Sequence, residues 1–301
     1  MRQHIVHRQP ITLRQVVFDR LIANELKARI QRQSLDARHP RAVFANEFMG
    51  METFVTGTYE RNHLMLLEGL ANALRDLRRD LTVLDVGANI GVHSRFLSPS
   101  VSCVHAFEPN PEVLPLLEIN TADLNNLTIH AIALSDRAGS AALSSNRTWN
   151  KGTASLEETG DGDTTEVQTA TLDSWVTPEM SIDLMKLDVE GHETAVLNGA
   201  SETLSRCRPI VAFEQRSADF SDADPETPSI SFLRAMDYEM HSPTFSTQSA
   251  NRSLARIKNL ARLAMSRERA WRLEPLSRVP RGLYPMLVAV PREVAVDLPL
   301  G

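Results

Sequence analysis

The chain has 301 residues, of which 42% are apolar, 23% charged and 5% aromatic. This composition supports a large core and excludes disordered, collagen-like and disulfide-scaffold proteins. The two cysteines, Cys103 and Cys207, are too few for a disulfide framework or a zinc cluster, so we expect a soluble protein in a reducing, cytoplasmic compartment. No run of about 18 uncharged apolar residues occurs, and the N-terminus lacks the apolar stretch of a signal peptide.

The net charge of −6 conceals an asymmetry along the chain. Residues 1–42 contain nine basic and three acidic residues, and residues 251–281 contain nine basic and two acidic residues. Residues 43–250 contain 13 basic and 31 acidic residues. Two basic flanks are typical of a protein that contacts an acidic partner or a membrane surface, and equally of solvated helices that balance an acidic body.

The N-terminal part of the chain is predicted to be helical. Apolar residues recur at helical spacing over 11–32 and over 61–79. Phe54–Glu60 is predicted to be an ordered loop between these helices, with Gly57 as a helix breaker. Residues 1–80 are therefore expected to form a helical extension.

From residue 82 onward, short apolar runs alternate with helical segments. Strands are predicted at 82–86, 101–107, 128–134, 182–187, 210–213 and 286–290, with helices at 111–123 and 193–204. This alternation indicates βαβ units and a mostly parallel sheet, so we expect an α/β domain over residues 81–301. Residues 139–172 are rich in Ser, Thr, Gly and Asn and predict a β-hairpin insertion, while residues 252–272 predict a basic amphipathic helix.

The first candidate binding site follows the strand at 82–86. In Leu84–Gly91, Gly87 permits a sharp turn and Gly91 lets the next helix approach the sheet closely, so a ligand could lie beside exposed backbone N–H groups. The spacing is Gly-x-x-x-Gly, and Asn89 stands where a dinucleotide site needs its middle glycine. With Asp85 adding negative charge, the turn favours a cationic ligand without phosphates.

The second candidate site is Phe107–Pro111. Glu108 lies 21 residues after Gly87, where an acid can accept both hydroxyl hydrogens of a ribose, and the two prolines end the strand there. The two candidate sites together predict a ligand that combines a ribose with a cationic group and lacks phosphates. S-adenosylmethionine has these features.

Five motifs in order resemble those of the FkbM-family methyltransferases. They are Asp85–Gly91, Phe107–Pro111, Ala133–Asp136, Thr171–Asp173, and Lys186–Glu193 followed by Leu197–Ala200, so the resemblance spans roughly residues 82–215. Phe54–Glu60 also resembles the segment that precedes the first motif in many members.

The resemblance implies a class I, Rossmann-like fold with a seven-stranded sheet and helices on both faces. It also implies transfer of a methyl group from S-adenosylmethionine to a hydroxyl of a sugar, glycan or small natural product. The cofactor positions that carry over are Gly87, Ala88, Asn89 and Gly91 around the methionine, Glu108 on the ribose, Asn110 beside ribose and adenine, and Asp136 on the adenine amino group. Asp136 is equally explained as a turn residue.

Catalysis is expected at the end of the fourth predicted sheet strand. Lys186, Asp188 and Glu190 share one face because strand residues alternate, and the carboxyl end of the strand opens into the cofactor cleft. We expect Asp188 to accept the hydroxyl proton, with Lys186 orienting it or lowering the hydroxyl pKa. Glu190 and Glu193 are the alternative bases, although Glu193 could instead cap the following helix.

Other ligands and functions stay open at this level. His93, His192, Glu193 and Glu214 are candidates for binding the acceptor, and Mg²⁺ on Asp188, Glu190, Glu193 and Glu214 is possible but not expected. Residues 1–60, 139–170 and 216–282 would build the acceptor pocket and its cover, and helix 252–272 could contact an anionic membrane or acidic glycan. A nicotinamide-dependent oxidoreductase, a non-catalytic binding module and a nucleic-acid methyltransferase are the alternatives, although no specific nucleic acid is expected.

Overall fold

The computed structural model describes residues 20–25, 27–28, 38–44, 47–77, 80–144, 155–156, 164–221, 226–246 and 270–295. Most of the predicted helix over 11–32 lies outside this part, and residues 20–25 within it are helical. Two helices then precede the sheet, α1 (Phe48–Thr56) and α2 (Arg61–Leu77). The prediction of a loop from Phe54 was wrong for its first three residues, because Gly57 ends α1 in a left-handed conformation (φ 93°).

The centre of the fold is an eight-stranded sheet in the order β10-β9-β11-β8-β7-β1-β2-β3. Its parallel part consists of β1 (Thr82–Val86), β2 (Cys103–Phe107), β3 (Leu127–His130), β7 (Leu184–Leu187) and β8 (Ile210–Gln215). The strands β9 (Tyr238–Ser246), β10 (Ala270–Leu276) and β11 (Tyr284–Pro291) extend it in antiparallel fashion. The α/β class is confirmed, with one strand more than the seven expected.

The connecting helices are α3 (Val92–Leu97), α4 (Leu114–Thr121), α5 (Leu172–Trp175), α6 (Glu193–Asn198), α7 (Ser201–Cys207), α8 (Pro228–Ala235) and α9 (Arg292–Ala295). The single helix predicted over 193–204 is two helices, because the chain bends at Gly199. A β-carbon there would lie 2.0 Å from the Ser135 carbonyl oxygen, so the backbone at the bend packs directly on a neighbouring segment.

The predicted hairpin insertion is a second, three-stranded sheet in the order β4-β6-β5. It contains β4 (Ala133–Leu134), β5 (Gly139–Ser144) and β6 (Thr164–Ala170), and β5 and β6 pair antiparallel. The single strand predicted over 128–134 was therefore wrong. The chain leaves the central sheet after His130, and Ala133–Leu134 pairs with β6 instead.

Residues 252–269 of the predicted basic helix lie outside the described part of the chain. The prediction of a helix was wrong for the remaining residues, 270–272, which belong to a strand. Ala270 and Trp271 begin β10, where they pair with Ser246 and Phe245 of β9. Within the described ranges, no helix combines the length and apolar character needed to cross a membrane. Contact of the basic segment with a membrane stays a prediction.

Helices cover both faces of the sheet, and alternate strand residues point to opposite sides. On one side, Leu84 and Val86 of β1 pack with side chains of α6, α7 and α8. On the other side, Val83 packs in what we call the flank cluster, which joins α2 to the C-terminal strands. Its buried members include Leu66, Leu67, Leu70 and Leu74 of α2, Leu273 of β10, and Met286, Val288 and Val290 of β11. The flank cluster therefore packs the N-terminal helix α2 against the C-terminal strands β10 and β11.

Candidate active site

A cleft opens at the carboxyl edge of the parallel strands, with about 1080 Å³ of space that includes its open mouth. Clefts at this edge are the usual ligand sites of open α/β sheets. Ten of the residues singled out from the sequence line it: Gly87, Ala88, Asn89, His93, Glu108, Asn110, Lys186, Asp188, Glu190 and His192. Five others are not among its lining residues: Asp85, Gly91, Asp136, Glu193 and Glu214.

The glycine turn after β1 is built as the sequence indicated. Gly87 has φ 76°, and a β-carbon there would lie 1.8 Å from the Asp188 carbonyl oxygen. Gly91 has φ 84°. We had expected it to let the next helix approach the sheet closely, but the residue that it approaches closely is Leu117 of α4. Asn89 also adopts a left-handed conformation (φ 50°), which Asn tolerates better than most residues.

The backbone N–H groups of this turn are not exposed to a ligand, contrary to the prediction. Gly87 and Ala88 both donate to the Phe107 carbonyl, at 3.0 and 2.9 Å, and Gly91 donates to the Ala88 carbonyl. The N–H of Asn89 donates to Glu108, and that of Ile90 donates to the Asn89 side chain. A phosphate needs such donors to be free, so this turn suits a ligand without phosphates.

Glu108 is fixed at the end of β2 by two backbone donors. Its Oε2 accepts from the N–H of Asn89 at 2.9 Å and its Oε1 from the N–H of Asn110 at 2.8 Å. A carboxylate has about four acceptor positions, so each oxygen retains one for a ligand hydroxyl. Burial raises the pKa of Glu108 to about 7, although both hydrogen bonds act in the opposite direction.

Lys186 is the centre of a buried polar cluster at the wall of the cleft. Its Nζ donates to the Gly87 carbonyl at 2.7 Å and lies 3.2 Å from Asp85 Oδ1 and 3.5 Å from Asp188 Oδ2. Burial opposes its charge, but attraction to Asp85 and Asp188 raises the pKa of Lys186 above its ordinary value. Asp85 is fully buried and also accepts from Ser94 Oγ at 2.6 Å, so it neutralises Lys186 and does not face a ligand.

Carboxylates gather at the ends of β7 and β8. Glu190 lines the cleft with left-handed backbone (φ 53°), and burial together with Asp188 raises its pKa to about 7. Burial, Asp188 and Glu190 raise the pKa of Glu214 to about 8. Glu193 Oε1 accepts from the N–H groups of Val189 and Gly191 at 3.1 and 3.2 Å, so it holds the turn between β7 and α6.

The arrangement of these carboxylates can be compared with that of an ion-binding group. Among the described residues, no three His, Cys, Asp or Glu side chains are arranged to hold an ion. Asp136 lies exposed outside the cleft, where its Oδ1 accepts from Ser135 Oγ at 3.2 Å. The same hydroxyl lies 2.9 Å from Nε2 of His192, so Ser135 holds that cleft-lining histidine in place.

Two segments that the sequence assigned to the pocket contribute lining residues that it had not singled out. Tyr59 and Glu60 line it from the segment before α2, and the resemblance of Phe54–Glu60 to other family members was the available signal. Leu143 and Leu156 line it from the second sheet and the segment between its strands, which agrees with the expected role of the insertion. Of the predicted 216–282 region, no described residue lines the cleft.

The sequence of the chain is similar to those of known methyltransferases. The protein-family model that describes the methyltransferase FkbM domain matches residues 85–240 of this sequence. The chain is 28% identical over 154 residues to the hexuronic acid methyltransferase AglP of Haloferax volcanii, covering 50% of this chain and 62% of AglP. It is 29% identical over 163 residues to the 2-O-methyltransferase NoeI of Sinorhizobium fredii, covering 44% of this chain and 62% of NoeI. The matched region thus spans less than two thirds of either relative.

Solved structures include an FkbM methyltransferase from Methylobacillus flagellatus, 19% identical with a TM-score of 0.39, covering 57% of this chain and 41% of that chain. The O-methyltransferase TomG from Streptomyces achromogenes, solved with S-adenosylmethionine, is 10% identical with a TM-score of 0.38, covering 75% and 79%. The family-model match covers more than half of the 301 residues, and the chain therefore belongs to the FkbM methyltransferase family.

Proposed function

We propose that the protein is an S-adenosylmethionine-dependent O-methyltransferase that acts on a hydroxyl of a sugar. The observation that carries this proposal is the pairing of Glu108 with the glycine turn. A buried carboxylate with free acceptor positions stands beside a turn whose N–H groups are all engaged within the chain. This combination suits a ribose attached to a phosphate-free group, and it disfavours a nicotinamide dinucleotide.

The walls of the cleft agree with the same ligand. Phe107, Ile132 and Leu134 give the side next to Glu108 an apolar lining that suits a purine, and Asn110 lies beside them. The methionine would lie against Gly87, Ala88 and Asn89. The proposed contact of Asp136 with adenine has less support, because Asp136 lies outside the cleft.

The cofactor, when bound, supplies a methyl group on a positively charged sulfur. The acceptor oxygen forms the new C–O bond as the C–S bond breaks, and the bonding electron pair passes to sulfur. The hydroxyl proton must leave at the same time, and we assign its acceptance to Asp188, whose side chain is 38% exposed and lines the cleft. Lys186 remains charged and fixed, so it orients the Asp188 carboxylate and does not itself accept the proton.

The acceptor class is proposed from the relatives together with the site. AglP is named for hexuronic acid and NoeI for 2-O-methylation, so both names concern sugar-type acceptors or hydroxyl oxygens. The cleft offers Glu190 and His192 beside Asp188, which are groups that hydrogen-bond hydroxyls. Glu193 and Glu214 do not line the cleft, so they would affect acceptor binding only through the residues that do.

The proposal is tested in two steps. Calorimetry should show binding of S-adenosylhomocysteine and no binding of NAD, and the reverse result would refute it. Methyl transfer to a panel of neutral and uronic methyl glycosides is then followed by mass spectrometry. We expect Asp188→Asn to abolish transfer while cofactor affinity stays within about tenfold, or about 1.4 kcal/mol. Glu118→Gln, an exposed change on α4, is the matched control. Full activity of Asp188→Asn would remove Asp188 from its role as base.

A further inference from the structure

Asn120 is a fully buried residue of α4, and its side-chain amide makes four hydrogen bonds to backbone groups of other segments. Its Oδ1 accepts from the N–H groups of Arg41 and Ala42, both at 2.7 Å. Its Nδ2 donates to the carbonyl of Ala42 at 2.9 Å and to the carbonyl of Ile90 at 2.7 Å. A side-chain amide has two hydrogens and two acceptor positions, so Asn120 uses its whole capacity for hydrogen bonds.

One of these bonds reaches the glycine turn that follows β1. From Ile90 the hydrogen bonds continue through the turn, because the N–H of Ile90 donates to Asn89 Oδ1 at 2.7 Å. The N–H of Asn89 donates to Glu108 Oε2 at 2.9 Å. Asn89 has a left-handed backbone (φ 50°), a conformation that persists where the surrounding structure fixes it. Asn120 therefore lies at one end of a chain of hydrogen bonds that leads to two cleft-lining residues, Asn89 and Glu108.

Asn120 also binds residues 38–44, which we call the N-terminal strap. Val43 and Phe44 of the strap pack against the apolar cluster that contains Ile90, which is 1% exposed. The strap and the turn therefore meet at Ile90, and Asn120 bonds the backbone of both. Because the strap precedes the region matched by the family model, this link joins the family domain to an earlier segment of the chain.

A neighbouring set of hydrogen bonds holds the same region together without reaching the turn. Asp123, just after α4, accepts from Nη1 and Nη2 of Arg95 at 2.6 and 3.1 Å and from Nη2 of Arg41 at 2.6 Å. The Arg95 side chain is buried in α3 and also donates to the carbonyl of Asn120 at 2.6 Å. These bonds join α3, α4 and the strap, so Asp123 offers a control for a purely structural effect.

We propose that Asn120 is a positioning residue for cofactor binding, which holds the turn after β1 in the shape that receives the methionine and the ribose. This inference rests on the proposed cofactor. Asn120 is not among the residues that line the cleft, so it would act through Ile90, Asn89 and Glu108. The N-terminal strap would contribute to cofactor affinity through the same amide.

Calorimetry with S-adenosylhomocysteine, at a temperature at which each variant is folded, tests the assignment. Asn120→Ala removes all four side-chain hydrogen bonds, and we expect about tenfold weaker binding, which is the effect that loss of one hydrogen bond in the turn can have. Asp123→Ala is the matched control, because it removes three hydrogen bonds of the same region and leaves Arg95 buried without its carboxylate. It should melt at a lower temperature than the wild type and bind with unchanged affinity.

Two further measurements separate positioning from general stability. Release of the Asn89 N–H removes a contact that lowers the pKa of Glu108, so the rise of affinity with pH should move to higher pH in Asn120→Ala. Lys186 and Asp85, the charged groups that also act on Glu108, are unchanged in this variant. Amide hydrogen exchange of the ligand-free protein should become faster in the turn of Asn120→Ala and stay unchanged in Asp123→Ala.

The outcomes distinguish this inference from the proposed function. Wild-type affinity in Asn120→Ala, or an equal loss of affinity in Asp123→Ala, would overturn the role of Asn120. If Asn120→Ala does not fold, Asn120→Asp replaces it, because its carboxylate still accepts from Arg41 and Ala42 but has no amide hydrogen for Ile90. Absence of S-adenosylhomocysteine binding to the wild-type protein would overturn the proposed function, and hydrogen exchange would then still show whether Asn120 holds the turn.

Discussion

Replacement of Lys186 by Met is expected to destabilise the fold strongly. The Lys186 side chain is 3% exposed and lies 3.2 Å from Asp85, which is fully buried. Methionine fills a similar volume but leaves the Asp85 carboxylate without its cation. The hydrogen bond from Ser94 Oγ, at 2.6 Å, remains and compensates only in part.

The size of the effect follows from the loss of one partner of a buried ion pair, which costs roughly 3–5 kcal/mol. This cost is a large fraction of a typical folding free energy of about 5–15 kcal/mol.

Urea denaturation followed by circular dichroism measures this cost. The double variant with Asp85→Asn should recover at least about 2 kcal/mol relative to the sum of the single changes. A penalty for Lys186→Met below about 1 kcal/mol would refute this reasoning.

Three further predictions concern single residues. Gly87→Ala places a β-carbon 1.8 Å from the Asp188 carbonyl oxygen, at a residue whose φ is 76°. We therefore expect a loss of at least about 2 kcal/mol in stability and no measurable calorimetric binding of S-adenosylhomocysteine. Normal binding by this variant would contradict the prediction. Because ligand hydroxyls donate to the ionised form of Glu108, whose pKa is about 7, affinity for S-adenosylhomocysteine should rise about tenfold from pH 6 to pH 8, and Glu108→Gln should abolish this dependence. Gly69→Ala in α2 would ordinarily stabilise a helix by about 1 kcal/mol, but its β-carbon would lie 2.1 Å from the Trp271 ring, so we expect thermal unfolding at a lower temperature. A higher melting temperature would show that Trp271 moves aside freely.

The parts of the fold that the sequence predicted best are those with a local signal. The apolar run of β1 ends in a turn with two glycines, and a β-carbon at either position would clash with a neighbouring atom. Glu108 follows β2 at the sequence spacing from this turn that is typical of a ribose-binding acid. Strands β9 and β10 were missed because Pro243 and Pro275 interrupt their apolar pattern, although proline is tolerated on strands at or near a sheet edge.

The role of Asp85 could not be predicted for a different reason. An acid at the end of β1 faces either the ligand or the neighbouring strand, and the choice depends on Lys186, which is about a hundred positions later in the chain. Pairings of this kind are set by tertiary structure and leave no periodic signal.

The flank cluster has a consequence for how this family can diversify. Nine of its buried members come from α2, β10 and β11, which lie on either side of the matched residues 85–240 and pack on the sheet strands between them. A protein cut to the matched region would expose Leu184, Ile210 and Ala212 on a bare sheet face. The two flanks can therefore be exchanged between relatives only as a pair. A chimaera that replaces one of them alone should be insoluble, while one that replaces both should fold.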